Sequence, residues 1–302
     1  MPKHLVLPLL ILLSACGPAG NRRAEKRDAK PKITVSIEPL RHFTEAIADD
    51  RFEVISLVPD GVSPETYDPT PQQMVSLTDS RAYFLVGQLG FERTWRRSLS
   101  DNAPHLLFFD LSRGVVPIPD EHQHAEPEQP QEPGMPPAPP FSIEPHVWTA
   151  PSSALTLAEN IAAALIMVDP DNEPLYLEGY ERTCRDIERT DSLVRAALDT
   201  TSVDRAFVIY HPALSYFARD YGLHQIAIEA DGKEPSPAQL AELIETAKAE
   251  HVRVVFVQPE FDTRNAELVA DQIGAEVVRI NPLSYQWEEQ LVGIARALAH
   301  RQ

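Results

Sequence analysis

The chain has 302 residues, 43% of them hydrophobic, which is enough for two domains with cores of their own and excludes disorder of the whole. Asp and Glu number 45 against 27 Lys and Arg, for a formal net charge of -18. Phosphate backbones are bound through clustered cations, so this balance argues against nucleic acid as a partner, whereas an acidic surface attracts cations.

At the N-terminus Lys3 and His4 precede an apolar run from Leu5 to Leu13, followed by Ser14, Ala15, Cys16 and Gly17. The run is too short for a mature membrane helix, which takes about 20 apolar residues, and no later segment is expected to reach that length. The Leu-Ser-Ala-Cys-Gly ending resembles a bacterial lipoprotein lipobox. That resemblance implies cleavage before Cys16, lipid on its sulfur, and an exported protein anchored to a lipid bilayer and facing the periplasm or cell exterior; an ordinary secretory peptide is the alternative. With Cys16 lipidated, Cys184 has no partner for an intrachain disulfide. Residues 1–16 are thus expected to be a signal peptide, and the polar stretch 17–31 a flexible tether.

From Lys32 the pattern turns regular. ITVSIEPL predicts a strand, Arg41 to Ala48 a short helix, and Phe52 to Val58 a second strand. A proline-pinned loop follows, Pro59 to Pro69, carrying Glu65 beyond the strand end. Gln72 to Thr78 predicts a helix, Ala82 to Val86 a strand, Phe91 to Leu99 a helix and Leu106 to Leu111 a strand. Such alternation marks a mostly parallel sheet covered by helices. The segment 117–140 is rich in Pro, Glu and Gln and reads as a disordered acidic loop, in which His122 and His124 are weak candidate cation ligands or plain solvated residues. Order returns at Ile143, and EPHVW holds His146 between a proline and aromatic bulk. Ser152 is expected to cap a helix running to about Met167, which closes an N-terminal lobe over 32–169.

A proline-free helical pattern then covers Glu173 to about Leu198 after Pro174, with apolar residues at Leu177, Tyr180, Cys184, Ile187, Leu193 and Leu198. Its length of about 40 Å suits a rigid connector over 170–200. Residues 201–302 repeat the first grammar. Strand Phe207 to Tyr210 leads to His211 and a helix, and strand Gln225 to Ile228 to an acidic loop. A helix over Ser236 to Ala249 leads to strand Arg253 to Val257 and then Gln258-Pro-Glu260. A helix from Asn265 to Ile273, strand Ala275 to Ile280, Asn281-Pro282 and a last helix from about Glu288 to Ala299 complete the chain. The expected fold is α/β: two lobes, each a mostly parallel sheet flanked by helices, linked by one long helix.

Ligands collect at the carboxyl ends of strands in open α/β sheets. Glu65, His211, Glu260 and Asn281 fall at strand ends of that kind; Glu65, His146, His211 and Glu260 come from separate loops, and imidazole with carboxylate suits Zn²⁺ at about 2.0 to 2.2 Å, as well as Mn²⁺ and Fe²⁺. Each has a plainer reading: a packed histidine for His211, a loop acid held by backbone amides for Glu65, and a cap of the next helix for Glu260.

The lipobox, GVSPETYDPTPQQM, the acidic His-containing loop before EPHVWTAP, the lone long helix and IYHPALSYFARDYGL together resemble the zinc-type solute-binding lipoproteins of metal ABC transporters, and most closely a Bacteroidetes-like branch. The resemblance spans Lys32 to Arg301. It implies two α/β lobes bridged by one helix, with a divalent metal bound in the cleft and delivered to a membrane permease without catalysis. Matched position by position, His146 and His211 align with family ligand histidines. Where the common loop reads Gly-x-x-Pro-His, this chain has Gly61-Val-Ser-Pro-Glu65, a carboxylate in place of an imidazole. The position near Asn281, often acidic in relatives, is also altered, so Glu260 is the expected fourth ligand, with Gln258, Asn281 or water as competitors. Zinc is the expected cargo, manganese or iron(II) the alternatives, and discrimination among them should be weaker than in a three-histidine site. A metallohydrolase or a surface adhesin is the rival function. The metal is expected to draw the lobes together by a small hinge movement that the permease recognises.

Overall fold

The structure is a computed structural model, and it describes residues 30–119, 143–199, 203–229 and 233–299. Cys16, His122 and His124 lie outside the described residues. Strands β1 (Lys32–Val35), β2 (Glu53–Ser56), β3 (Ala82–Leu85) and β4 (Leu107–Asp110) form one sheet in the order β2-β1-β3-β4. Strands β5 (Ala206–Ile209), β6 (His224–Ala227), β7 (Val254–Val257) and β8 (Glu276–Arg279) form a second in the order β6-β5-β7-β8. Every pairing is parallel. Strands β3, β5 and β7 are buried at each residue, which is why AYFL, AFVI and VVFV are apolar throughout instead of alternating. Both sheets reverse their strand order at the centre, between β1 and β3 and between β5 and β7, where the chain leaves in opposite directions and opens a crevice.

The covering helices are α1 (Glu38–Ala48), α2 (Pro71–Thr78), α3 (Gly90–Asn102), α4 (Pro151–Val168), α5 (Glu173–Leu198), α6 (Ser215–Tyr221), α7 (Pro237–Ala249), α8 (Arg264–Ile273) and α9 (Trp287–Leu298). The alternation expected from the sequence is present, with local corrections. ITVSIEPL is not all strand: β1 stops at Val35, and Pro39 in the first turn lets α1 begin at Glu38, because proline lacks only an N–H that the first turn would leave unpaired. Ser152 is not the cap of α4; Ala150 holds that place, and the Ser152 hydroxyl donates to Asp220. Helix α4 is also apolar and long enough, at 18 residues with mean hydropathy 1.4, to match a membrane span by composition, contrary to expectation. Its packing against α1 and α5 explains that composition.

Helix α5 lies against α1, α4 and α9, so it is packed along its length and touches elements of both halves of the chain. Its buried face is Tyr176, Gly179, Thr183, Ile187, Thr190 and Val194, whereas Leu177 and Leu193, expected inside, are 45% and 40% exposed. The stripe follows i, i+3, i+4 spacing, but small and polar residues occupy half of it because α1 approaches closely. A Cβ on Gly179 would sit 2.3 Å from the Ile47 carbonyl oxygen, so only glycine allows the crossing.

The segment leading into α4 is fastened to the C-terminal half. The Trp148 indole donates to the Pro282 carbonyl at 2.8 Å, and the Trp287 indole donates back to the Trp148 carbonyl at 2.6 Å. Tyr216 donates to the Glu144 carbonyl at 3.1 Å. The loop before α9 also reaches α1, through Tyr285 to Glu45 at 2.7 Å and the Arg41 guanidinium 4.6 Å over the Tyr285 ring.

Candidate metal centre

The strand registers set the address of the site. Ile209 pairs with Ala227 on one side and Phe256 on the other, so two residues further along His211 lies beside Glu229 and next to Gln258. The contacts follow: His211 Nδ1 is 3.1 Å from Glu229 Oε2, and the Gln258 amide clamps the His211 backbone, accepting from its N–H at 3.3 Å and donating to its carbonyl at 2.7 Å. Phe261 stacks on the ring at 5.4 Å and 23°. His211 is thereby fixed in position and in ring orientation.

His146 is held in the same manner by a different segment. It is 5% exposed, Glu144 takes both its backbone N–H and its Nδ1, and the Trp148 ring lies 5.1 Å away. A carboxylate at each Nδ1 fixes the tautomer with the proton on Nδ1 and the lone pair on Nε2. The two Nε2 atoms are 3.2 Å apart. Two bound imidazole nitrogens on adjacent vertices of a tetrahedron, each about 2.0 Å from a zinc ion, would be about 3.3 Å apart. The pair therefore has the spacing of two ligands to one ion lying to the side of the N–N line.

Glu65 joins them from the loop between β2 and α2. A ligand atom from each of Glu65, His146 and His211 falls within 4.8 Å of the others. Its Oε2 accepts from the Gly90 N–H at 3.3 Å, while Oε1 is buried with no hydrogen-bond partner among the described residues. One oxygen is held by a backbone amide, as the plainer reading expected, and the other has the position that a ligand would need. Glu260 is not in that cluster, but it lines a cavity with His146 and His211, and its Oε2 is buried without a hydrogen-bond partner among the described residues. It does not cap α8, whose N-cap is Thr263. Burial pushes the Glu260 carboxyl above its usual range and Asp60 adds to this, against the pull of a backbone N–H, His211 and His146. Buried carboxylate oxygens are costly unless hydrogen-bonded or bound to a cation, and those of Glu65 and Glu260 beside the histidine pair fit a divalent ion. A further buried oxygen without a partner among the described residues, on Glu144, lies behind His146 on its Nδ1 side.

The two side-chain competitors for the fourth position are otherwise engaged. Gln258 spends both amide atoms on the His211 backbone. Asn281 donates to Asp60 at 3.1 Å and accepts from the Leu283 N–H at 3.0 Å. The cavity lined by His146, His211, Gln258 and Glu260 measures about 20 Å³, room for one particle the size of a water molecule. Sequence reasoning missed Glu144 and Glu229 as partners of the histidines. For Glu144 the signal was its place two residues before His146; for Glu229 it was the acidic loop after the strand that pairs with β5.

A family model described as zinc-uptake complex component A, periplasmic, matches residues 33–299. The chain is 27% identical over 296 residues to the high-affinity zinc uptake system protein ZnuA of Bacillus subtilis (strain 168), covering 96% of this chain and 91% of that one. It is 25% identical over 280 residues to the iron ABC transporter substrate-binding lipoprotein MtsA of Streptococcus pyogenes serotype M1, covering 89% and 84% of the two chains. A crystal structure of a ZnuA deletion mutant with zinc bound has the same fold, with a TM-score of 0.79 and 34% identity over 89% of this chain and 97% of that one.

Proposed function

This chain belongs to the periplasmic zinc-uptake component family, and on that premise we propose that it captures Zn²⁺ between Glu65, His146 and His211, with Glu260 completing the shell, and passes it to an ABC transporter permease. The observation that carries this reading is the histidine pair, with Nε2 atoms 3.2 Å apart and a carboxylate at each Nδ1. Zinc leads because tetrahedral nitrogen and oxygen coordination suits it and the divalent affinity order favours it over iron(II) and manganese. Iron is named for one relative, and two imidazoles with one or two carboxylates suit that ion and Mn²⁺ as well, so selectivity against them should be modest.

Capture is favoured over catalysis by size. The cavity of about 20 Å³ at the histidine pair suits an ion, whereas hydrolysis would need an open coordination position beside a substrate pocket. Export and attachment to the bilayer through Cys16 rest on the lipobox and on the lipoprotein among the relatives. The assignment to a Bacteroidetes-like branch rests on the sequence resemblance alone. The test is elemental analysis of metal-stripped protein after competition among Zn²⁺, Mn²⁺ and Fe²⁺, repeated with Glu65→Ala and Glu260→Ala. One equivalent of zinc in the unmodified chain, with less retained by both variants, is the expected result. Manganese retained in preference to zinc would overturn the choice of cargo.

A further inference from the structure

Two carboxylates share the backbone amides at the start of α3. Glu92 is 2% exposed and accepts from the N–H groups of Val86 at 2.9 Å, Gly87 at 2.6 Å and Leu89 at 3.4 Å, as well as from the Ser36 hydroxyl. The next amide in the chain, Gly90, donates to Glu65 Oε2. The backbones touch there as well. A Cβ on residue 90 would lie 2.4 Å from the Glu65 carbonyl oxygen, and the Phe91 N–H donates to the Pro64 carbonyl at 3.3 Å. The Tyr67 ring stands edge-on to Phe91 at 5.8 Å and presses the loop down from its other side.

The path from Glu92 to the metal centre is therefore short and made of backbone. Glu92 folds residues 86–89 around its two oxygens, and that fold aims the Gly90 N–H outward at Glu65. Glu65 is the site's contribution from the loop after β2, and no aromatic ring or amide clamp of the kind that holds His211 is seen on its side chain among the described residues. Its direction is set by the one amide. A ligand whose support is loosened loses affinity even though its own atoms are intact.

We propose that Glu92 and Gly90 are positioning residues that set cation affinity by aiming the Glu65 carboxylate at the histidine pair. This rests on the reading of Glu65 as a ligand. A mere cap of α3 would influence folding but would be blind to whether Glu65 is present. The difference is measurable as a coupling between the two positions.

The experiment is a double-mutant cycle on the whole exported chain: Zn²⁺ affinity by chelator competition and Co²⁺ absorption spectra for the unmodified protein, Glu92→Gln, Glu65→Ala and the double variant. Glu92→Gln should weaken zinc binding about 10- to 100-fold, the usual cost of losing a residue that orients a ligand. In the Glu65→Ala background the same change should alter affinity by no more than about twofold, within the additivity error of independent sites. The Co²⁺ spectrum of Glu92→Gln should resemble that of Glu65→Ala. Unchanged affinity in Glu92→Gln, or a full second loss in the double variant, would overturn the proposal. If Glu65→Ala alone left affinity untouched, the ligand reading would fall instead, which keeps the two failures apart. Should Glu92→Gln not fold, Gly90→Ala takes its place in the cycle with the same outcomes, since its Cβ pushes on the Glu65 backbone directly.

Discussion

His146 and His211 meet Nε2 to Nε2 at 3.2 Å, each with its Nδ1 turned away to a carboxylate of its own, Glu144 and Glu229. With the Nδ1 protons directed at those carboxylates, both Nε2 lone pairs would face one gap, an arrangement suited to a cation. Replacing both histidines by alanine should abolish stoichiometric zinc binding, measured by calorimetry on metal-stripped protein. Retention of one equivalent would place the metal elsewhere.

The carboxylates behind the rings should matter nearly as much as the rings. Glu144→Gln and Glu229→Gln each keep the shape but weaken the acceptor at Nδ1, and each should cost about 10- to 100-fold in zinc affinity. Glu144→Gln should be the harsher, because the Glu144 carboxylate also takes the His146 backbone N–H at 3.0 Å, whereas the Glu229 carboxylate makes one hydrogen bond, at 3.1 Å, among the described residues. Chelator competition at fixed pH checks the order.

Glu92 predicts a pH dependence of stability. Burial pushes its carboxyl up to about 7, with Asp110 adding to this, against hydrogen bonds from Ser36, Val86 and Gly87 that pull it down. The folded value exceeds the unfolded one, so the folded chain holds this proton more tightly, and stability from it is present at acid pH and lost as pH rises from about 4.5 through about 7. Relative to Glu92→Gln, which does not titrate, the unmodified protein should lose up to about 3 kcal/mol across that window and nothing further above it. Urea unfolding of the metal-free proteins at several pH values from 4 to about 9 reads the difference. A constant difference would mean that Glu92 does not change its charge there.

The contact between α1 and α5 predicts a purely structural lesion. Gly179→Ala places a methyl 2.3 Å from the Ile47 carbonyl, a backbone atom that cannot rotate away. Overpacking of this kind costs about 1 to 3 kcal/mol, more than any gain in helix propensity over glycine. Thermal unfolding should show the loss. Zinc affinity should be spared, because neither helix carries a residue of the site.

Zinc itself should raise the melting temperature by mass action, about 2.7 kcal/mol at a hundredfold excess over its dissociation constant. Solution scattering should change little in overall size. The loops from Asn281 to Trp287 already bind both halves of the chain, through Asp60, Glu45 and the Trp148 carbonyl. A large contraction on adding zinc would show that these straps open in the metal-free protein.

Much of the architecture was legible because β3, β5 and β7 are apolar throughout, while α5 runs 26 residues without a break after Pro174. What the sequence concealed was which face of α5 turns inward. Leucines at 177 and 193 suggested one stripe, and the close approach at Gly179 chose the neighbouring one. The histidines could be found from their loops, but their partners could not. Glu229 stands next to His211 only because β6 pairs in register with β5, and register is a property of two segments that neither displays alone. Gln258 looked like a candidate ligand for the same reason: its place at a strand end was visible, but not the backbone it grips.

The reciprocal indole bonds between Trp148 and the loop around Pro282 and Trp287 divide the metal centre unevenly. They tie His146 to the half of the chain that carries His211, while Glu65 comes from a loop that Asn281 holds through Asp60. If Glu65 is a ligand, the imidazole pair is the preassembled part of the site, and Glu65→Ala should shorten the residence time of a bound ion more than it slows loading.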